Sequence, residues 1–131
     1  MSDVPNDLKY TENHEWIRIT ESYVEIGITD YAQEAMGEIV FIELPGKGEE
    51  VVKGGSFGAV ESTKSVSDIY APVSGEIVEV NQQLSESPET INKDPYGDGW
   101  IIRLGTGDRD ELKDLLTCED YTSLVDSEID K

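Results

Sequence analysis

Short β-prone runs, each cut off by glycine, proline or a small polar cluster, constrain this chain more than any other feature. Trp16 to Thr20 is one compact run. In Val24-Glu25-Ile26-Gly27-Ile28 the residues Val24, Ile26 and Ile28 share one face at period two. Glu38 to Leu44 is nearly continuous in apolar residues, which predicts a strand covered on both faces. Pro45-Gly46 ends it with turn chemistry. Val51-Val52, Ser56 to Ser62, Ile69 to Pro72, Gly75 to Asn81 and Trp100 to Leu104 complete the set. Strands this short and this closely spaced fold as a sandwich or a barrel. At 131 residues the chain fits one domain, residues 1–131, with a β core over about 10–105.

Three helices are expected around that core. Asp30 to Met36 carries Ala32, Ala35 and Met36 as a one-sided stripe, Asp30 with Gln33 as a capping box, and Gly37 as a stop. A C-terminal segment over about 108–129 supplies the other two. One starts at Asp108, with Glu111 as its reciprocal partner and Leu112, Leu115 and Leu116 on one face. The other runs from about Glu119 to Ile129, with Tyr121, Leu124 and Val125 on one side. Helices at both ends of a β body serve to cover sheet edges.

Composition narrows the functions. The formal net charge of −19 repels nucleic acid and anionic membranes. It either keeps a small monomer soluble or favours partners with basic docking faces. No apolar run is long enough to span a bilayer, and Met1 to Asp7 has neither the basic nor the apolar stretch of a leader. One cysteine, Cys118, and one histidine, His14, rule out an internal disulfide and argue against a Cys/His metal site. Cys118 lies in a polar helical tail, far in sequence from His14, a poor setting for a catalytic thiol. Gly46-Lys47-Gly48 lacks P-loop spacing, no GxGxxG fingerprint is present, and Asp94 to Asp98 reads as a turn rather than a calcium loop.

Lys64 stands apart from the other six lysines. Lys47 and Lys53 lie in glycine-rich turns and Lys113 on a helix, all as solvated charges. Lys64 alone sits among small hydroxyl residues, Ser62-Thr63-Lys64-Ser65, between two β segments. Val51 to Ser62 and Ile69 to Asn81 form a faint internal repeat, and a pseudo-twofold relating them would put Lys64 at the joining turn. The residues by themselves fit either an ordinary surface lysine or a point of covalent attachment for a swinging cofactor.

Glu61-Ser62-Thr63-Lys64-Ser65-Val66-Ser67-Asp68, followed by Ile69-Tyr70-Ala71-Pro72-Val73-Ser74-Gly75-Glu76, resembles the lipoyl-attachment motif of the glycine-cleavage H-protein family. His14-Glu15-Trp16, Gly27 to Gln33, Val40 to Pro45 and Asn92 to Trp100 match the same family in the same order, from about Tyr10 to Tyr121. The resemblance implies a mainly β fold. That fold is a hybrid barrel-sandwich of two antiparallel sheets, lipoyl-domain-like, with a short internal helix and C-terminal helices. It implies lipoate in amide linkage on Lys64, an acylation that removes the ammonium charge. It implies a non-catalytic carrier. The carrier takes an aminomethyl group from the pyridoxal-phosphate glycine decarboxylase (P protein) to the tetrahydrofolate-dependent aminomethyltransferase (T protein). Its electrons go to dihydrolipoyl dehydrogenase (L protein). A lipoate ligase or a lipoyl/octanoyl transferase would load it.

The resemblance also implies site residues. Glu61, Gly48 and Gly75 match positions linked to the modifying enzymes, although turn geometry alone accounts for both glycines. Asn13, His14, Glu15 and Asp68 would line a cleft that docks the loaded arm, with the Glu15 and Asp68 carboxylates facing its cationic amine. Thr63 and Ser65 replace the usual valine and alanine, Tyr31 stands where some members have histidine, and Asn13 replaces serine or threonine. A relay protein that donates lipoyl or octanoyl groups to 2-oxoacid dehydrogenase subunits, and an unmodified interaction module, are the alternatives. Biotin attachment fits poorly, because methionines usually flank that lysine. A monomer in a prokaryotic cytoplasm, rather than a mitochondrial matrix, is expected, with no metal, nucleic-acid or membrane partner.

Overall fold

The computed structural model describes residues 3–106 and 109–129. Nine strands run β1 (Lys9–Tyr10), β2 (Glu15–Ile19), β3 (Val24–Ile28), β4 (Ile39–Glu43), β5 (Glu50–Val51), β6 (Ser56–Ser62), β7 (Val66–Tyr70), β8 (Gly75–Val80) and β9 (Ile102–Thr106). They form a six-stranded sheet of order β1-β2-β3-β9-β8-β5 and a three-stranded sheet of order β4-β6-β7. Every pairing is antiparallel. The protein is therefore mainly β, with two antiparallel sheets and short helices, as the strand spacing predicted.

Ile17, Val24, Ile26, Ile42, Val60, Ile69, Ile77 and Leu104, drawn from both sheets, meet in one apolar core. A second cluster, of Leu8, Tyr10, Trp16, Tyr121 and Val125, lies where the C-terminal helix α4 (Cys118–Ile129) packs on the β1–β2 end. The faint repeat has a structural counterpart: β5 pairs with β8, β6 pairs with β7, and the turn at Lys64 joins the halves.

Several expectations need correction. Helix α1 (Asp30–Met36) ends at Gly37 as predicted, but its N-cap is Thr29, whose Oγ1 accepts from Ala32 N at 3.2 Å. Asp30 instead bonds Gln33 side chain to side chain at 2.6 Å. Strand β4 is not covered on both faces: Val40 is 47% and Phe41 55% exposed. It is an edge strand, and a bulge between Ile39 and Phe41 interrupts its alternation. The strand expected from Ile69 begins three residues earlier, so Ser67 and Asp68 belong to an edge strand that tolerates polar side chains.

Asp108 lies outside the described residues, and Arg109–Asp114 is a 3-10 helix rather than an α-helix. Leu112 and Leu115 still pack on the main core. Leu116 cannot continue a helix, because its N–H and C=O both bond Tyr10, at 2.8 and 2.9 Å, and cap the edge strand β1. Two one-turn helices, α2 (Gln83–Glu86) and α3 (Thr90–Lys93), were not foreseen; each inserts one fully buried side chain, Leu84 or Ile91.

Gly75 shows how closely the strands approach. A Cβ there would stand 2.5 Å from the Gly105 carbonyl oxygen, a backbone atom that cannot swing aside. Gly75→Ala is expected to cost about 1–3 kcal/mol by such overpacking, measured as a shift in urea midpoint at unchanged slope. An unshifted midpoint would mean that β8 and β9 separate freely.

The hairpin tip and its neighbouring cleft

Strands β6 and β7 form a hairpin whose last register pair is Glu61 with Val66. Beyond it Ser62 N donates to Ser65 O at 2.8 Å, closing a loop with only Thr63 and Lys64 at its centre. Two-residue hairpin loops usually need positive φ and therefore glycine or asparagine. Neither Thr63 nor Lys64 has positive φ; His14, at 69°, is the one such non-glycine among the described residues. A side chain supplies the missing acceptor. The Ser62 hydroxyl, on a buried residue, accepts from Lys64 N at 3.2 Å and Ser65 N at 3.1 Å. Thr63 N donates to Glu38 O at 3.2 Å and ties the tip to the α1–β4 junction.

That junction is held in turn by Asn92. Its Oδ1 accepts from Ile39 N at 2.8 Å, while its Nδ2 donates to Gln33 Oε1 at 2.8 Å and Gly37 O at 2.9 Å. The exposed Lys64 side chain lies across Gly37: a Cβ on Gly37 would come within 3.0 Å of Lys64 Cε and 3.6 Å of Nζ. Gly37 has φ of +86°, so glycine suits this position both as helix cap and as a bed for the lysine stem.

Met36, the residue before Gly37, borders a cavity of about 270 Å³. Ile28, Ala32, Ala35, Met36, Val60 and Ile69 give it an apolar wall. Asn13, His14, Glu15, Tyr31, Ser67, Asp68 and Glu128 supply the polar side chains. The four residues expected to share a cleft thus border one cavity, but they differ in setting. Glu15 is 2% exposed, with Thr11 Oγ1 donating to one oxygen at 2.6 Å and Tyr70 N to the other at 3.3 Å. Burial pushes its carboxyl up to about 6 against those two hydrogen bonds. Asp68 is exposed and stands at the rim: its register partner is Ala59, which also pairs with Glu43, and it borders a second groove with Glu43 and Pro45.

His14 is fixed from both ring nitrogens. Nδ1 bonds the Tyr121 hydroxyl at 2.8 Å and Nε2 faces Glu128 at 3.2 Å. Burial holds its imidazole below the usual value, with Glu128 opposing. The Tyr121 hydroxyl also meets Thr29 Oγ1 at 2.7 Å, and its ring stacks on Tyr10 at 4.6 Å. The C-terminal helix therefore borders the cavity through Glu128 and anchors the lining His14 through Tyr121. Sequence reasoning gave Tyr121 only a packing role and missed Glu128, which no local pattern marks.

The positions tied to modifying enzymes separate. Glu61 is exposed on the hairpin itself. Gly48 and Gly75 belong to the β5–β8 edge of the other sheet, where Gly48, with φ of +93°, donates its N–H to Ile77 O at 2.8 Å.

A family model described as "Glycine cleavage H-protein" matches residues 8–128. The chain belongs to the glycine cleavage H-protein family. It is 55% identical over 128 residues to a glycine cleavage system H protein of Carboxydothermus hydrogenoformans, covering 98% of each chain. It is 48% identical over 124 residues to a probable glycine cleavage system H protein of Haloarcula marismortui, covering 95% of this chain and 98% of the other. The crystal structure of a glycine cleavage system H protein from Mycobacterium marinum superposes with a TM-score of 0.82 at 45% identity. That match covers 92% of this chain and 97% of the other. The H-protein relatives thus span nearly the whole chain, hairpin and C-terminal helix included.

Two outcomes follow from this geometry. Ser62→Ala removes the acceptor of two tip amides, with an expected cost of about 0.5–1.5 kcal/mol and faster hydrogen exchange at Lys64 and Ser65; Ser62→Thr should restore protection. Unchanged exchange in the alanine variant would mean that the hydroxyl does not hold the turn. For Glu15, a folded-state pKa above the unfolded one means the native protein binds the extra proton, so stability falls as pH rises from about 4.5 to 6. In urea melts the parent chain should lose about 1–2 kcal/mol relative to Glu15→Gln over that interval. A constant difference between the two would contradict the burial of an ionisable carboxyl.

Proposed function

We propose that this chain is the lipoyl-carrying H protein of a glycine cleavage system, with lipoate in amide linkage on Lys64. The observation that carries the reading is the placement of Lys64. It is exposed on a hydrogen-bonded two-residue tip, and its stem crosses Gly37, the residue after Met36, which borders a cavity holding the buried Glu15 carboxyl. Among the described residues no ion pair engages its Nζ.

The residues fit such a group. An apolar wall of Ile28, Ala32, Ala35, Met36 and Val60 suits a hydrocarbon chain, and Gly37 leaves room for its root. When bound, the lipoyl group supplies a reducible disulfide on a long arm. The rest belongs to the protein. Ser62 and Thr63 keep the root of the arm fixed, so that only the arm moves. Tethering keeps the cargo at high effective concentration for successive partners. The Glu15 carboxylate, gripped by Thr11 and the Tyr70 amide, offers each oxygen's remaining lone pair to a cationic amine. Asp68 adds a second negative charge at the rim. Asn13 and His14 shape the entrance, and Glu61 guides the modifying enzyme. Gly48 and Gly75 contribute backbone geometry.

The protein is a carrier and turns nothing over itself. Its partners are the pyridoxal-phosphate glycine decarboxylase, the tetrahydrofolate-dependent aminomethyltransferase, dihydrolipoyl dehydrogenase, and a lipoate ligase or lipoyl/octanoyl transferase. The bacterial and archaeal relatives support a prokaryotic cytoplasm.

The test is reconstitution with purified partner enzymes, following glycine-dependent release of carbon dioxide. The lipoylated parent should support turnover and Lys64→Arg none; turnover with the arginine variant would overturn the reading. Glu15→Gln should shorten the lifetime of the loaded arm towards hydrolysis by about tenfold, the loss of a charge-assisted hydrogen bond. An unchanged lifetime would remove Glu15 from the docking role.

A further inference from the structure

Glu15 borders two cavities, and the carrier reading uses only one of them. The second is the larger, at about 380 Å³, within the range of small-molecule sites. It shares Asn13 and Glu15 with the cavity described above and no other lining residue. Both donors that grip the Glu15 carboxyl, the Thr11 hydroxyl and the Tyr70 amide, belong to residues that line this larger cavity and not the smaller one. The carboxyl head of this buried residue therefore lies against the larger cavity as well. Each of its oxygens keeps a lone pair that those donors leave unfilled.

The surrounding structure holds this cavity in shape. Tyr70, Ala71 and Pro72 line it at the end of β7, and Leu115 and Leu116 line it after the 3-10 helix. That helical segment is pinned at three points. The Glu111 carboxylate accepts from Ser74 N at 2.7 Å and from Ser74 Oγ at 3.1 Å. Lys53 Nζ meets Asp114 at 2.9 Å, and Leu116 bridges to Tyr10. The charge of the lining selects what can enter. Glu12, Glu15 and Asp114 stand against one cation, Lys53, which Asp114 already pairs. An anion finds no free cation among the lining residues, whereas a cation finds a buried carboxyl and an apolar wall.

We propose that the larger cavity binds a free primary amine with a short hydrocarbon body, its ammonium on the Glu15 carboxylate and its body against Tyr70, Pro72 and Leu115. The site itself needs only the unmodified chain, and its consequence rests on the carrier reading. One carboxylate then serves two cations, the tethered amine of the loaded arm from the smaller cavity and the free amine from the larger. Two cations at one carboxylate repel each other, so each ligand weakens the other by the same factor. A free amine thereby loosens the end of the arm, and the hold on the cargo responds to amines in the surroundings. The tether explains why the free ligand takes the larger cavity. In the smaller one it meets the arm at high effective concentration, while the larger offers the same carboxylate without that rival.

The test titrates the full-length unmodified chain with n-butylamine at about pH 7.5, where the amine is charged and Glu15 has ionised. Nuclear magnetic resonance should show saturable shifts at Thr11, Tyr70, Ala71 and Leu115, with a Kd of about 1–10 mM for so small a ligand. Nuclear Overhauser effects should run from the butyl protons to the Ala71 and Leu115 methyl groups, a readout that needs no variant. 1-Butanol, which keeps the body and loses the charge, should bind about tenfold more weakly, and so should butylamine to Glu15→Gln. In the lipoylated, aminomethyl-loaded chain, saturating butylamine should shorten the hydrolytic lifetime of the arm by up to about tenfold, with no further shortening in loaded Glu15→Gln. Overhauser effects confined to Ala32, Ala35 and Met36 would overturn the proposal, because they place the amine in the smaller cavity. So would butanol binding as tightly as butylamine, or no saturable shift up to about 100 mM amine. Those three results come from the unmodified chain and leave the carrier reading intact. An unchanged lifetime of the loaded arm at saturating amine would overturn the coupling between the two cavities.

Discussion

The buried Ser62 hydroxyl sets the terms for the hairpin end of this molecule. A two-residue loop without glycine leaves tip amides without an acceptor, and Ser62 Oγ takes two of them. With that acceptor in place, neither Thr63 nor Lys64 needs a positive φ, and the exposed lysine stem lies over Gly37 on a stiff support. A loop of glycines would also expose a lysine, but it would let the root of any attached arm wander. The hydrogen bond from Thr63 to Glu38, and the Asn92 amide beneath Gly37 and Ile39, extend the same stiffness from the tip into the body.

That body divides the work between its two sheets. The six-stranded sheet and the shared core supply stability, while the three-stranded sheet supplies display. Its outer face is left open, so Lys64, Glu61, Phe41 and Val66 stay accessible together. The cavity bordered by Met36 takes its walls from β3, α1, β6 and β7, and the C-terminal helix reaches it through Glu128, while Tyr121 anchors His14. In the carrier reading, the fold thereby separates the tip that would bear the arm from the cavity in which its end would rest. Glu15 lies deep in the second place because strand β2 begins there, and a carboxyl so placed resists ionisation until a cation or a higher pH offsets the burial.

Most strands were legible because period-two alternation and glycine or proline breaks are local signals. Val24 to Ile28 was found on that basis, and the run Gly75 to Asn81 forms β8 except for its last residue. The errors share a cause, which is that tertiary partners decide what local pattern leaves open. Glu38 to Leu44 looked buried on both faces because its composition is apolar, yet composition does not reveal an edge strand with a bulge. Leu112, Leu115 and Leu116 have helical spacing, but Leu116 is captured by Tyr10, more than a hundred residues earlier in the chain. The family's motifs pointed to Lys64, Glu15 and His14, and the structure places Glu15 and His14 on one cavity. Glu128 and the Tyr121 contacts to His14 and Thr29 were not legible, because they form only once a helix has folded back across the β1–β2 end. The role of Ser62 was hidden for another reason: a serine in a turn is common, and only the geometry shows its hydroxyl accepting from two amides.

The central claim is that Lys64, alone of the seven lysines, is the attachment point. The most direct measurement is the intact mass of the protein purified from its own lipoate-replete source, followed by peptide mapping of the modified residue. A single lipoyl-sized increment on the peptide containing Lys64 is the expected result. A bare Lys64, or an increment on any other lysine, would contradict the account.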